Sequence, residues 1–175
     1  MELIAVCDSK VNTAPDFPMG WWSLARSHEL QVGEVKSVSA LDRELVLYRT
    51  RSGAVRVHDA YCPHLGANLG VNGRVVGESI QCPFHGWQFN GEGQCKHIPY
   101  AKNLPPRVAK GESILGAWEV RELNQQILVW YHPNKEAPTW EPESIEEAQN
   151  GNNEWTAFDR HEWEIHAHMQ EIGEN

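Results

Sequence analysis

Long hydrophobic runs are missing from this 175-residue chain; stretches such as Ile127–Tyr131 stop at five residues. A membrane-spanning helix needs about 18, so a helical bundle in a bilayer is excluded. Cysteine is sparse, with four residues at positions 7, 62, 82 and 95. Without a secretory signal (Met1–Cys7 is too short and wrongly flanked), four cysteines in this length do not make a disulfide framework. The expected setting is a reducing intracellular compartment, cytoplasmic for the chain as it stands. A basic stripe is missing too. Residues 1–132 carry 13 acidic and 13 basic side chains, whereas residues 133–175 set 11 acidic residues against Lys135 and Arg160. The whole net charge of −9 therefore sits in the last quarter. Phosphate backbones find no electrostatic footprint, which excludes nucleic acid as a partner. Internal repeats at solenoid spacing are absent as well.

What remains is ordinary globular material, with 41% hydrophobic and 22% charged residues, enough at this length for a core without staples. Residues 1–17 read as a loose lead-in, with turn formers and no periodicity. From Trp21 short β-like runs alternate with turn residues. Strands are expected at Trp21–Ala25, Glu34–Val38, Glu44–Thr50, Val55–Ala60, Arg74–Val76, Ser79–Gln81, Trp87–Phe89, Trp118–Glu122 and Gln126–His132. Ser52-Gly53, Asn90-Gly91 and Asn124 supply the turns. Pro99–Gly116, with Pro105-Pro106, reads as an irregular crossing. An all-β domain over residues 18–132 follows, then a Pro-, Glu- and Asn-rich acidic linker at 133–154. Apolar alternation returns over Trp155–Ile172, as if a new strand began.

Two segments carry chemistry: Cys62-Pro63-His64-Leu65-Gly66 and Cys82-Pro83-Phe84-His85-Gly86-Trp87. Each offers one thiolate and one imidazole on a loop after an expected strand, stiffened by proline and opened by glycine. Seventeen residues separate His64 from Cys82, and their hairpin material brings the loops together. A Cys₂His₂ set can hold zinc, which makes a zinc-stabilised binding module one reading, but Cys62-x-His64 is tighter than the usual zinc spacing. A matched Cys–His pair in each loop suits a [2Fe–2S] cluster with two thiolates on one iron and two imidazoles on the other.

The pattern C-P-H-x₁₇-C-P-F-H-G-W resembles the signature of Rieske proteins, and Gly20-Trp21-Trp22, Leu47–Arg49, Asp59-Ala60-Tyr61 and Gly91–Gly93 extend the likeness across residues 18–132. The resemblance implies an antiparallel Rieske-type fold with two cluster-binding loops. It implies that Cys62 and Cys82 bind the inner iron and His64 and His85 the outer one. Respiratory members carry an extra loop cysteine pair; Ala67 and Phe84 stand at the corresponding positions here. With fewer hydrogen bonds to sulfur, the expected potential lies toward about −150 mV rather than +300 mV. That suits oxygen activation. Within the oxygenase branch, Asp59–Gly70, Gly73–Gly77 and His97-Ile98-Pro99-Tyr100 resemble the sterol-processing group, which holds cholesterol 7-desaturases and 3-ketosteroid 9α-hydroxylase oxygenases.

Such oxygenases also have an α+β catalytic domain with one mononuclear Fe(II). Glu171–Asn175 resembles the start of the segment leading to that iron, so residues 155–175 are expected to be the opening strand of a truncated catalytic domain. No catalytic residue is then expected in this chain. The group implies a ferredoxin or flavin reductase as electron donor, a sterol or steroid substrate in the absent domain, and a homotrimer for the full-length protein. Membrane association is expected only for a full-length animal-type protein. A free-standing Rieske ferredoxin is the alternative, and residues 133–175 argue against it. His161, His166 and His168 read as exposed histidines, Cys95 as a strand residue near the loops, Cys7 as incidental, and His58 and His97 as packing or surface residues.

Overall fold

The structure, a computed structural model, describes residues 17–148, 161 and 163–167. Ten strands appear in chain order: β1 Gly20–Arg26, β2 Val35–Ala40, β3 Arg43–Arg49, β4 Val55–Asp59, β5 Arg74–Val76, β6 Ser79–Gln81, β7 Gln88–Phe89, β8 Cys95–His97, β9 Val120–Leu123 and β10 Gln126–Tyr131. All pairings are antiparallel, and the strands form three sheets ordered β1-β10-β9, β2-β3-β4 and β5-β6-β7-β8. The all-β expectation therefore holds, with one α-helical turn among the described residues, α1 Pro106–Ala109, inside the stretch expected to be irregular. Pro106 opens that turn because its missing N–H would be unpaired there anyway. Val108 anchors it in the core.

The period of two along β3 builds two cores from one strand. Leu45 and Leu47 join a cluster with Leu30, Val57, Ile127 and Val129, packed under β1 and β10. Val46 and Tyr48 join a second cluster with Ile80, Phe89, Leu69 and both loop cysteines. All four β3 residues are buried, as a strand covered on both faces must be. The middle sheet thus separates a base core from a loop-end core. Arg49 closes the side of this arrangement. Its guanidinium donates to the carbonyls of Ser27, Leu30 and Gly53 and to both carboxylate oxygens of Glu122, at 2.7 to 3.0 Å.

Turn chemistry explains the differences from the sequence expectation. Ser52-Gly53 and Asn124 turn the chain as expected, with Gly53 and Asn124 at positive φ. In the β7–β8 hairpin the left-handed residue is Gly93 (φ 76°), not Gly91. Asn90 bonds both sides of the loop, through its Oδ1 to the Gln94 N–H and through its carbonyl to the Gly93 N–H. The β2–β3 turn uses Leu41 and Asp42, both at positive φ without glycine. Leu41 is buried, and that burial offsets the backbone cost.

Among the described residues, those up to Glu143 form one compact unit and those from Ser144 a second. In the first unit, the Trp140 carbonyl accepts from Trp21 Nε1–H at 2.9 Å, and Glu141 makes a bidentate pair with Arg121. In the second, Glu146–Ala148 is a 3₁₀ turn. The strand read over Trp155–Ile172 lies mostly outside the described residues; His161 and 163–167 are in no strand. No described helix is long and apolar enough to cross a membrane.

Candidate metal centre

Two loops of equal length close with the same backbone bonds. In Cys62–Ala67 the Gly66 N–H donates to the Cys62 carbonyl (2.9 Å) and the Cys62 N–H to the Ala67 carbonyl (2.9 Å). In Cys82–Trp87 the Gly86 N–H donates to Cys82 (3.1 Å) and the Cys82 N–H to Trp87 (2.8 Å). Both closures require the fifth residue in the left-handed region, and Gly66 and Gly86 each have φ 72°. Trp87, expected to lie on a strand, is instead the last residue of the second loop, because its carbonyl completes that closure.

Equal loops with unequal sequences set the side chains. Histidine is third in the first loop and fourth in the second, so Leu65 and Phe84 fill the complementary places and stand 66% and 65% exposed. Cys62 and Cys82 are buried, while His64 and His85 are half-buried. The imidazole centroids lie 4.8 Å apart with planes at 71°. Burial pushes the Cys62 thiol up to about 11; the backbone N–H of His64 opposes this, and the neighbouring Cys82 thiol adds to it. The four residues named from sequence are therefore brought together as two pairs, thiols inside and imidazoles at the surface. Among the described residues no three His, Cys, Asp or Glu side chains are placed to share one metal ion. Pairing of donors suits a binuclear group better than a single zinc ion. Buried thiols that are costly to ionise alone become stable thiolates against metal charge.

The surroundings hold further residues outside the four donors. Residues 60–73 and 79–91 contain no Asp, Glu, Lys or Arg, a signal visible in the sequence, and they make the loop end uncharged. Tyr61 and Tyr100 add exposed rings to it. Trp87 stacks on His64, and its Nε1–H donates to the Tyr100 hydroxyl at 2.7 Å. His58 is fully buried. Its Nδ1 lies 3.1 Å from the Gly116 carbonyl, which can only accept, so Nδ1–H donates and Nε2 accepts from the Tyr48 hydroxyl at 3.3 Å. Burial lowers its pKa to about 4, keeping it neutral.

Cys95 is a buried strand residue whose thiol is pushed up by burial. His97 is exposed on β8, and His166 is exposed with Glu164 at 3.9 Å. Cys7 and His168 lie outside the described residues.

Comparison with known proteins gives this geometry a lineage. Residues 20–111 match the Rieske [2Fe-2S] domain family. The chain is 46% identical over 162 residues to cholesterol 7-desaturase nvd of Xenopus laevis, covering 92% of this chain and 34% of that one. It is 38% identical over 160 residues to the oxygenase component of 3-ketosteroid-9-alpha-monooxygenase of Rhodococcus rhodochrous, covering 91% and 40%. Its fold is similar to dicamba monooxygenase solved with non-heme iron and dicamba, at a TM-score of 0.58 and 31% identity, over 71% of this chain and 36% of that one. The chain thus spans about a third of the length of the curated cholesterol 7-desaturases it matches.

Proposed function

The chain belongs to the Rieske [2Fe-2S] domain family, and on that premise we propose that Cys62 and Cys82 hold one iron of the cluster while His64 and His85 hold the other. A bound [2Fe–2S] cluster supplies reversible one-electron transfer. This chain's residues do the rest. The two loops present thiols from inside and imidazoles at the surface, which leaves the histidine edge as the electron's way in and out. Leu65, Phe84, Tyr61 and Tyr100 give that edge an uncharged, apolar rim, against which a redox partner can dock closely and exclude water. The observation that carries the reading is the pair of equal loops with their donors sorted by depth.

The relatives are oxidoreductases, oxygenases and desaturases of the Rieske type. The whole protein's role is read from the sterol-processing relatives: electrons arrive from a ferredoxin or flavin reductase. They pass on to a mononuclear non-haem iron that desaturates or hydroxylates a sterol or steroid with O₂, in a homotrimer. The deciding experiment is EPR of dithionite-reduced, anaerobically purified protein, with iron and zinc counted on the same sample. A rhombic signal with about two irons per chain is expected for Cys₂His₂ ligation. Zinc without iron overturns the reading.

A further inference from the structure

Trp87 belongs to the second loop, yet its ring lies against the histidine of the first. The His64 and Trp87 centroids are 4.6 Å apart and their planes differ by 10°. The indole is only 8% exposed, and its Nε1–H is held by the Tyr100 hydroxyl at 2.7 Å. Turning the indole about its side-chain torsions would break that bond and strand a buried donor. Tyr100 is itself held in place by its own segment. Ile98 is buried, the Ala101 N–H donates to the Ile98 carbonyl at 3.2 Å, and Pro99 sits so close to Gly86 that a Cβ there would meet its Cγ at 2.9 Å. The second imidazole is held differently. His85 has the Phe84 ring beside it at 4.2 Å, tilted by 43°, and Tyr100 edge-on at 6.3 Å. A hydrogen bond and a parallel stack therefore run from the segment after β8, through the second loop, to the first-loop ligand.

We propose that Trp87, fixed by Tyr100, is a positioning residue for His64, setting the plane of that imidazole and lowering the electron affinity of the centre it ligates. The proposal rests on the cluster assignment above. An imidazole bound to iron carries partial positive charge, greatest in the oxidised state, and the electron-rich face of an indole favours that state. Covering the ring also keeps water from the reduced, more negative state. Both effects hold the potential down, so removing the stack raises it.

The test uses the iron-loaded chain, with Trp87→Leu and Tyr100→Phe. Iron content and the EPR line of the wild type are read first; their absence sinks the cluster assignment and is seen before any variant is compared. At unchanged iron content the midpoint potential is expected to rise in both variants, more in Trp87→Leu than in Tyr100→Phe. Pulsed EPR is expected to show a changed ¹⁴N coupling for one imidazole and an unchanged one for the other. Tyr100 is exposed, so Tyr100→Phe decides the matter alone if Trp87→Leu fails to take up iron. Wild-type potential and couplings in the loaded variants overturn the proposal. So does a shift that alters both imidazoles alike, which marks general water entry.

Discussion

The two cores on either side of β3 are built from the same strand by opposite means. The base core lies among strands of four to seven residues, paired over long registers, and its buried side chains are aliphatic. The loop-end core lies under strands of three, three, two and three residues. It includes both loop thiols, and a tryptophan committed to an imidazole. Ladder hydrogen bonds and apolar burial close the first. The second has fewer of both, and its loops are left for metal–ligand bonds to fix. Stability and redox function are thereby divided between opposite faces of one strand.

The sharpest way to break the comparison is to remove a proposed ligand. Cys82→Ser is expected to take iron from about two per chain to near none. Hydrogen exchange should quicken at least tenfold across residues 62–100 and stay slow in β1, β3 and β10. Equal loosening of both ends would show that the base depends on the metal as well. The converse variant, Ile127→Ala, opens a cavity beneath fully buried residues. A loss of about 3 kcal/mol in denaturant unfolding is expected, with the EPR signal and midpoint potential unchanged; a moved potential would mean that the cores are not independent.

A gentler probe is pH, through His58 between β4 and the Gly116 segment. Its folded pKa is depressed to about 4 by burial, from an ordinary 6.5. Below pH 6.5 the unfolded chain takes up a proton that the folded one refuses, so this stability is present above 6.5. It is lost as pH falls toward 4, by about 3 kcal/mol in all. Urea unfolding of the wild type at pH 7 and 4.5 should show part of that loss, and His58→Gln should flatten the slope. A variant as pH-sensitive as the wild type assigns the effect to other groups.

Much of this architecture is legible in the amino-acid sequence. Alternation places every strand but β8 within a residue or two, because burying one face of a strand leaves a period of two in the sequence; β8 spans only Cys95–His97, too short to show that period. Exceptions have local causes. Trp118 and Glu119 fall outside β9, since the Trp118 N–H is taken by the Val57 carbonyl. The Leu41-Asp42 turn is invisible in the sequence, because no residue type announces positive φ when burial compensates for it. His58 reads as packing or surface, for its neighbours in sequence carry no sign of Tyr48 or Gly116.

The sequence by itself determined the four candidate donors, their two-loop grouping and the all-β scaffold, since thiolate and imidazole chemistry, loop stiffness and strand alternation are properties of residues and near neighbours. Only the tertiary structure decided that the thiols lie inside and the imidazoles outside, that β3 feeds two cores, and that Trp87 of one loop stacks on the imidazole of the other. Those relations join residues far apart in the chain, and they exist only once packing and backbone hydrogen bonds have fixed which faces meet.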